Sequence, residues 1–325
     1  MSRRLGLLAA AALLLLGLRG SASPASKIEL RRDDDAGRLQ VLIDGREAVV
    51  YQYAETLDLP HYWPMNSPRG KNMLVRQTEP YPHHRSFWFA DTVRLNGGRP
   101  VSVYYALTTG RDLGTDPKTY APPFNDHIRH LEFKKLEAGD SRAVIETELR
   151  WEMDSRTPVL GEQRTVIIHA LGNGEYLLDI TFTLTASFGE VAFVSDDVHY
   201  AWPFLRLDKI WNGENGGKII TDTGGAGMPA TNMKPARWLD YSNRVDGETA
   251  GVAVFQYPDG QEHRWLTREY GCVGPRRPDD RSGKPFTLAK GETISQRVGV
   301  LVHVGDILGG RVAERYKKYI EGNWK

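Results

Sequence analysis

Two short stretches of this chain concentrate the residues that can do chemistry. The first is Tyr81-Pro82-His83-His84-Arg85-Ser86-Phe87-Trp88-Phe89-Ala90-Asp91, in which two adjacent imidazoles and a guanidinium stand beside three aromatic rings. Imidazole exchanges protons near neutral pH, guanidinium offers a rigid fork of donors to a carboxylate, and an aromatic face stacks on a sugar ring. The second is His263-Arg264-Trp265-Leu266-Thr267-Arg268-Glu269-Tyr270-Gly271, which adds a carboxylate and a phenol. Together they hold the parts of a proton transfer on a sugar, with a uronate the favoured kind. His83 or His84 is the general base, Tyr270 or Glu269 the acid, and Arg85 or Arg268 neutralises a carboxylate as negative charge develops on it. Elimination, dehydration and epimerisation next to a carboxylate or a masked carbonyl all fit this set. Trp63, Trp88 and Trp202 are candidate stacking platforms, and His130 and His263 are further candidates for substrate contact. Hydrolysis by two carboxylates is the sister chemistry, with Asp91 or Asp240 as the partner of Glu269. A glycan-binding protein that moves no proton would use the same aromatics and arginines.

Other chemistries find less support. The nine histidines show no H-x-x-x-H or H-E-x-x-H spacing. His127 and His130 beside Asp126, and Asp196-Asp197-Val198-His199, are the nearest approaches to a ligand set, and no metal site is assigned. The glycine-rich run Gly213 to Gly227 lacks the Lys-Ser/Thr of a phosphate cradle, and no cofactor is expected. Cys272 is the only cysteine, so the fold relies on packing, and a lone thiol of this kind is expected to be a small buried apolar group.

The elements that must position these residues are mostly strands. Short runs rich in Val, Ile, Leu, Thr and Tyr recur between Gly, Asp and Asn turns. They are Arg38 to Ile43 before Asp44-Gly45, Ala143 to Met153, Gln163 to His169 before Gly172-Asn173-Gly174, Tyr176 to Thr185, Thr249 to Tyr257, and Ile294 to Val304. In Tyr176 to Thr185 the second half alternates cleanly, with Ile180, Phe182 and Leu184 on one face and Thr181, Thr183 and Thr185 on the other. One face is therefore buried and one wet. Only Arg311 to Glu321 has helical spacing, through Val312, Arg315, Tyr316 and Tyr319. The expected fold is all-β, a large antiparallel β-sandwich with a short C-terminal helix, over a single domain from residue 26 to 325. Asp112 to Asn125, with its prolines, reads as a crossing loop. Leu59 to Pro82 and Gly213 to Lys234 break the strand rhythm and are expected to be irregular. Loops of that length usually serve function, so at least one should border the site and supply His61, Trp63 or Asn232. If the two chemical stretches are extended, His83 and Arg85 share one side and His84, Ser86 and Trp88 the other. Likewise Arg264, Arg268 and Tyr270 would share a face opposite His263, Thr267 and Glu269.

Arg3 and Arg4 precede fourteen apolar or glycine residues, Leu5 to Leu18, and small residues follow at Gly20, Ser21, Ala22, Ser23 and Ala25. This is the anatomy of a signal peptide, residues 1 to 25, which predicts a periplasmic or extracellular protein with no membrane insertion after cleavage. The balance of 42 basic against 41 acidic residues, less Arg3, Arg4 and Arg19, gives no charge to steer nucleic acid. The partner expected is a carbohydrate.

The chain also resembles a secreted bacterial family of unknown function that carries the automatic label "methane oxygenase PmoA". The likeness runs through Tyr81 to Ala90, Ala236-Arg237-Trp238-Leu239-Asp240-Tyr241-Ser242, Gly251 to Phe255, Trp265 to Gly271, and Val300 to Asp306 with the helix after it. Pro82-His83-His84-Arg85 is its most specific part. The family's second segment reads Trp-His-Val-Arg-Asp-Tyr-Gly. Arg268, Tyr270 and Gly271 therefore match, Glu269 is a conservative change, and Leu266 stands where a histidine is common. Pro275-Arg276-Arg277-Pro278 replaces a shorter apolar turn. The resemblance implies a secreted protein similar to the galactose-mutarotase-type supersandwich, a fold shared by sugar epimerases and several polysaccharide lyases, and fold alone assigns no reaction. The label itself fails a physical check. A membrane oxygenase subunit needs several spans of about 20 apolar residues, and none follows the leader.

Overall fold

A computed structural model describes residues 26–77, 83–103, 126–194, 201–278 and 285–324. The leader, Tyr81-Pro82, the Asp112 to Asn125 segment and Asp196 to His199 lie outside the described residues. In chain order the strands begin with β1 (Ile28–Asp33), β2 (Arg38–Ile43), β3 (Arg46–Gln52), β4 (His61–Met65) and β5 (Phe87–Trp88). The short β6 (Thr92–Leu95) and β7 (Val101–Ser102) lead to four long strands, β8 (His127–Ala138), β9 (Arg142–Met153), β10 (Thr157–Gly172) and β11 (Glu175–Thr185). Next come β12 (Val191–Phe193), β13 (Phe204–Arg206), β14 (Lys218–Thr221), β15 (Trp238–Val245) and β16 (Glu248–Gln256). The last four are β17 (His263–Thr267), β18 (Cys272–Pro278), β19 (Phe286–Leu288) and β20 (Thr293–Val304). Helix α1 (Gly227–Thr231) precedes β15, and α2 (Val312–Glu321) ends the chain.

Five of the six strands read from the sequence end within a residue of their expected limits, and Gln163 to His169 is the middle of the longer β10. The two segments expected to be irregular hold elements after all. Leu59 to Pro82 contains β4, whose pattern Pro64 obscures. Gly213 to Lys234 contains a 3-10 turn, β14 and α1, all too short to show a period.

All named pairings are antiparallel. One eight-stranded sheet runs β1-β2-β3-β4-β5-β13-β18-β17, a second runs β14-β15-β16-β20-β11-β10-β9-β8, and a four-stranded sheet runs β19-β12-β6-β7. The two large sheets form a sandwich around a shared core to which both contribute, Tyr62, Phe87 and Leu205 from the first and Trp151, Ile180 and Phe182 from the second. The alternation of β11 shows how the second sheet is covered. Ile180, Phe182 and Leu184 face the core, level with Val298 on β20 in the case of Ile180. In its first half both faces are buried, because Leu177 packs with Phe255 and Leu301 under Val312, Tyr316 and Tyr319 of α2. Each such side chain contributes roughly 1.5–3 kcal/mol on burial. Gly299 makes the fit possible, since a Cβ there would come within 3.1 Å of the Phe255 and Tyr319 rings. Arg315 fixes the helix by a two-pronged bond to Glu175, at 3.0 and 2.6 Å.

Candidate functional site

The two chemical stretches meet on the outer face of the first large sheet. Among the described residues of the first stretch only Phe87–Trp88 forms a strand. His83 to Ser86 approach it as turn and irregular chain, so the alternation expected for His83 and Arg85 does not apply. β13 joins the stretches, pairing Phe204 with Trp88 and Leu205 with Phe87 on one side, and Leu205 with Val273 and Arg206 with Cys272 on the other. The ladder continues one step further, where the Arg206 N–H donates to the Ser86 carbonyl at 2.7 Å. Cross-strand partners share a face. Phe87, Leu205 and Val273 therefore share one face, and Ser86, Trp88, Phe204, Arg206 and Cys272 share the other, where Trp88, Phe204 and Cys272 are also packed in the core. Trp88 and Phe204 stack there at 4.8 Å and 14°.

The second stretch reaches the same face through a turn. β17 ends at Thr267, and Arg268 to Gly271 close a tight hairpin with β18, the Gly271 N–H donating to the Arg268 carbonyl and the Arg268 N–H to the Cys272 carbonyl, both at 2.9 Å. Gly271 is required at this point. Its φ is +94°, and a Cβ would come within 3.0 Å of Leu207. The turn, rather than a strand pleat, decides where Arg268, Glu269 and Tyr270 go, which corrects the shared face expected for them.

The Arg206 guanidinium lies over the Tyr270 ring, 4.1 Å from the ring centroid, and the Tyr270 ring stacks with the His84 ring at 6.4 Å and 25°. His83 meets His84 edge-on at 4.5 Å, and His84 also lies 5.9 Å from the Trp88 ring. His83 and Tyr270 are half-buried at the rim, while His84, Arg85 and Arg206 are buried beneath them. His84 and Tyr270 thus form the centre of the site.

The three arginines around this centre differ in what occupies them. Arg85 bonds the buried Asp58 carboxylate through Nη2 and Gln77 through Nη1, so its charge is already balanced. The role expected for Arg85, holding a substrate carboxylate, does not fit a guanidinium with this counter-ion. Arg268 donates to the Asn232 side-chain oxygen at 2.7 Å and to the Thr267 carbonyl. Among the described residues Arg206 makes no ion pair, and its Nε and Nη1 are buried without a hydrogen-bond partner. His61, brought level with Trp88 by the β4–β5 pairing, completes this face. Burial first, and the Arg85 charge second, lower its pKa to about 4, so it is neutral at ordinary pH. Burial likewise pushes the Cys272 thiol up to about 12, which leaves it a poor nucleophile.

Both long segments border the site, one through His61 and the other through Asn232. Trp63 stands two residues beyond His61, half-buried, with the Arg76 guanidinium 5.2 Å from its ring centroid.

Several expected residues lie elsewhere or are otherwise engaged. Glu269 accepts the Met228 N–H at 2.8 Å and so latches α1 to the hairpin, a structural duty. Trp88 and Trp202 are each 1% exposed and cannot present a face to a sugar. The Trp202 indole donates to Asp91 at 2.9 Å. His130 sits on β8 of the other sheet among Tyr51, Tyr53 and Phe133. His263 is buried at the far end of β17, bonded to the Arg276 carbonyl and Asp259. Asp240 is fully buried against His303 at 2.7 Å, so neither it nor Asp91 faces Glu269 as a hydrolytic pair would require. Among the described residues no three His, Cys, Asp or Glu side chains gather as a metal would need. Asp126 instead binds Arg99 and His127 approaches Glu152. Two clefts lie apart from this centre. One, of about 440 Å³, is lined by Arg46, Arg69 and Tyr176, and another, of about 560 Å³ beside α2, includes His263 but none of the central residues. The site is placed by converging chemistry, not by these concavities.

Arg206 escaped the sequence reading, although a lone cation within the apolar run Phe204-Leu205-Arg206-Leu207 was a signal. No helix among the described residues is long and apolar enough to cross a membrane.

A family model described as a family of unknown function, DUF6807, matches residues 38–317. No curated protein matches. Among solved structures, the chain is similar to the GH36 α-galactosidase AgaB from Geobacillus stearothermophilus, at 9% identity and a TM-score of 0.47, over 87% of this chain and 42% of that one. It is also similar to an α-galactosidase from Lactobacillus brevis, at 7% identity and a TM-score of 0.42, over 87% and 39%. An Escherichia coli K12 protein described as a putative aldose 1-epimerase matches at 12% identity and a TM-score of 0.33, over 86% of this chain and all of that one. The chain spans about two fifths of the length of the α-galactosidases it matches. Likenesses of this size assign neither a substrate nor a catalytic residue.

Proposed function

From a chain that belongs to DUF6807, a family of unknown function with no activity to inherit, we propose an enzyme that works outside the cytoplasm by moving a proton on a sugar. The observation that carries this reading is the stacking of His84 with Tyr270, ring centroids 6.4 Å apart and planes inclined by 25°, with His83 at 4.5 Å from His84. An imidazole and a phenol side by side make a base and an acid. In an elimination, His84 takes the proton from carbon, the C–H electrons form the double bond, and the departing oxygen receives the Tyr270 proton. In an epimerisation the two groups serve opposite faces of one carbon.

Two other readings are less well supported. A binding-only protein would show several aromatic platforms, and of the three candidates Trp88 and Trp202 are buried, leaving only the half-buried Trp63. A hydrolase needs a second carboxylate, and Asp91 and Asp240 are committed to the core.

The test is turnover on uronate oligosaccharides, followed by absorbance near 235 nm and by mass, for the wild type, His84→Ala, His83→Ala and Tyr270→Phe. His84→Ala is expected to lower kcat by ~10²- to 10⁴-fold with affinity within a few fold. If His84→Ala and Tyr270→Phe both keep full turnover on a substrate of the wild type, the assignment is wrong.

A further inference from the structure

We infer that Arg206 selects an anionic substrate, and that the anion is a single carboxylate borne by the sugar. The chemistry after binding rests on the proton-transfer reading, but binding itself can be tested alone.

Several buried guanidiniums among the described residues come with a counter-charge. Arg164 bonds Glu162 at 2.6 Å, Arg315 bonds Glu175 at 2.6 Å, and Arg85 bonds Asp58. Arg206 is also buried, at 7% exposure, yet among the described residues it has no ion pair, and its Nε and Nη1 find no acceptor. Its compensation is the Tyr270 ring at 4.1 Å. A cation taken out of water with only a ring beneath it is costly, and a fold retains such a group when something else supplies the charge. The neighbours do not supply it. Arg268 bonds an amide oxygen and a backbone carbonyl, and the Glu269 carboxylate is turned to the Met228 N–H. Directly across the ladder, Ser86 Oγ is fully buried and also without a partner among the described residues. Arg206 thus brings unsatisfied guanidinium donors, and Ser86 on the paired strand an unsatisfied hydroxyl, to meet an incoming carboxylate. One uncompensated cation matches one negative charge. Tyr270 ties these donors to the proton-transfer pair, because its ring lies 4.1 Å from the Arg206 guanidinium and 6.4 Å from the His84 ring. A carboxylate held on Arg206 would bring the sugar to the Tyr270 ring, and so to one member of the proton-transfer pair.

The experiment measures calorimetric affinity and melting temperature of the full chain, for wild type, Arg206→Met and Arg206→Lys. The probes are glucuronate and galacturonate, their neutral counterparts glucose and galactose, and inorganic phosphate. Uronates are expected to bind the wild type best. Arg206→Met should weaken them by ~10- to 100-fold, Arg206→Lys should weaken them less, and neutral sugars should be indifferent to either change. Arg206→Met should also melt at or above the wild-type temperature, since it removes a buried charge that has no counter-ion. The inference falls if neutral sugars bind as well as uronates, if phosphate outcompetes them, or if Arg206→Met leaves uronate affinity unchanged. It also falls if Arg206→Met melts far below wild type while Arg206→Lys retains full uronate affinity, as a purely structural residue would. Uronate binding that depends on Arg206, without turnover that depends on His84, upholds this inference and overturns the proton-transfer reading. Turnover of a neutral sugar that depends on His84 but not on Arg206 does the reverse.

Discussion

Removing Asp58 should expose how differently Arg85 and Arg206 are held. Asp58 and Arg85 have side chains only 2% and 7% exposed and form a direct ion pair. At an effective dielectric constant of about 20, charges ~4 Å apart attract by roughly 4 kcal/mol. Deleting one partner leaves the other charge buried, which costs about 3–5 kcal/mol. Asp58→Ala and Arg85→Met should each destabilise by that much, while the double variant should lose far less than their sum, because it buries no lone charge. The assay is urea unfolding, with midpoints compared at a common slope. In a protein of this size a loss of that order lowers Tm by roughly 5–8 °C. Additive losses in the double variant would show that the two groups do not neutralise one another. The reasoning that reserves anion binding for Arg206 would then lose its basis.

Three further outcomes follow from the same geometry. Because burial holds the folded-state pKa of His61 at about 4, the unfolded chain binds more protons below its ordinary value near 6.5. His61 therefore stabilises fully above that pH, and its contribution is lost as pH falls from about 6.5 toward 4. On the order of 2 kcal/mol should go between pH 7.5 and pH 5, and His61→Gln should flatten that slope in denaturant titrations. Trp202→Ala should cost ~3–5 kcal/mol in melting experiments and leave sugar affinity unaltered, as a core residue bonded to Asp91 requires and a stacking platform would not. Glu269→Gln keeps an acceptor for the Met228 N–H, so turnover should stay within a few fold, and a loss above about a hundredfold would restore Glu269 as the acid.

Much of the scaffold was readable because burial writes itself into alternation. Ile180, Phe182 and Leu184 face the core as the pattern requires, and α2 lies where Val312, Tyr316 and Tyr319 form one stripe. β4 was hidden by Pro64, and β14 by its four-residue length. For the site, composition pointed to His83, His84 and Tyr270, whose rings do converge. It gave no means of telling an aromatic that faces outward from one that is buried, so Trp202 was misplaced, and no means of knowing that His130 and His263 bond within their own surroundings. Charge pairing is the least legible property. Arg85 looks like a ligand-binding group until Asp58 arrives from a distant strand connection, and Arg206 looks like an isolated surface cation until its register against Ser86 and Cys272 buries it.

Deuterium exchange tests the central claim, that a proton is moved at carbon beside His84, most directly. Wild type and His84→Ala are incubated with uronate saccharides in D2O, and the carbon next to the carboxylate is followed by proton NMR and mass. The wild type is expected to exchange that C–H for deuterium or to lose it to a double bond, and His84→Ala to slow this by ~10²-fold or more. Binding of the same saccharides with no exchange and no product in the wild type would contradict the claim.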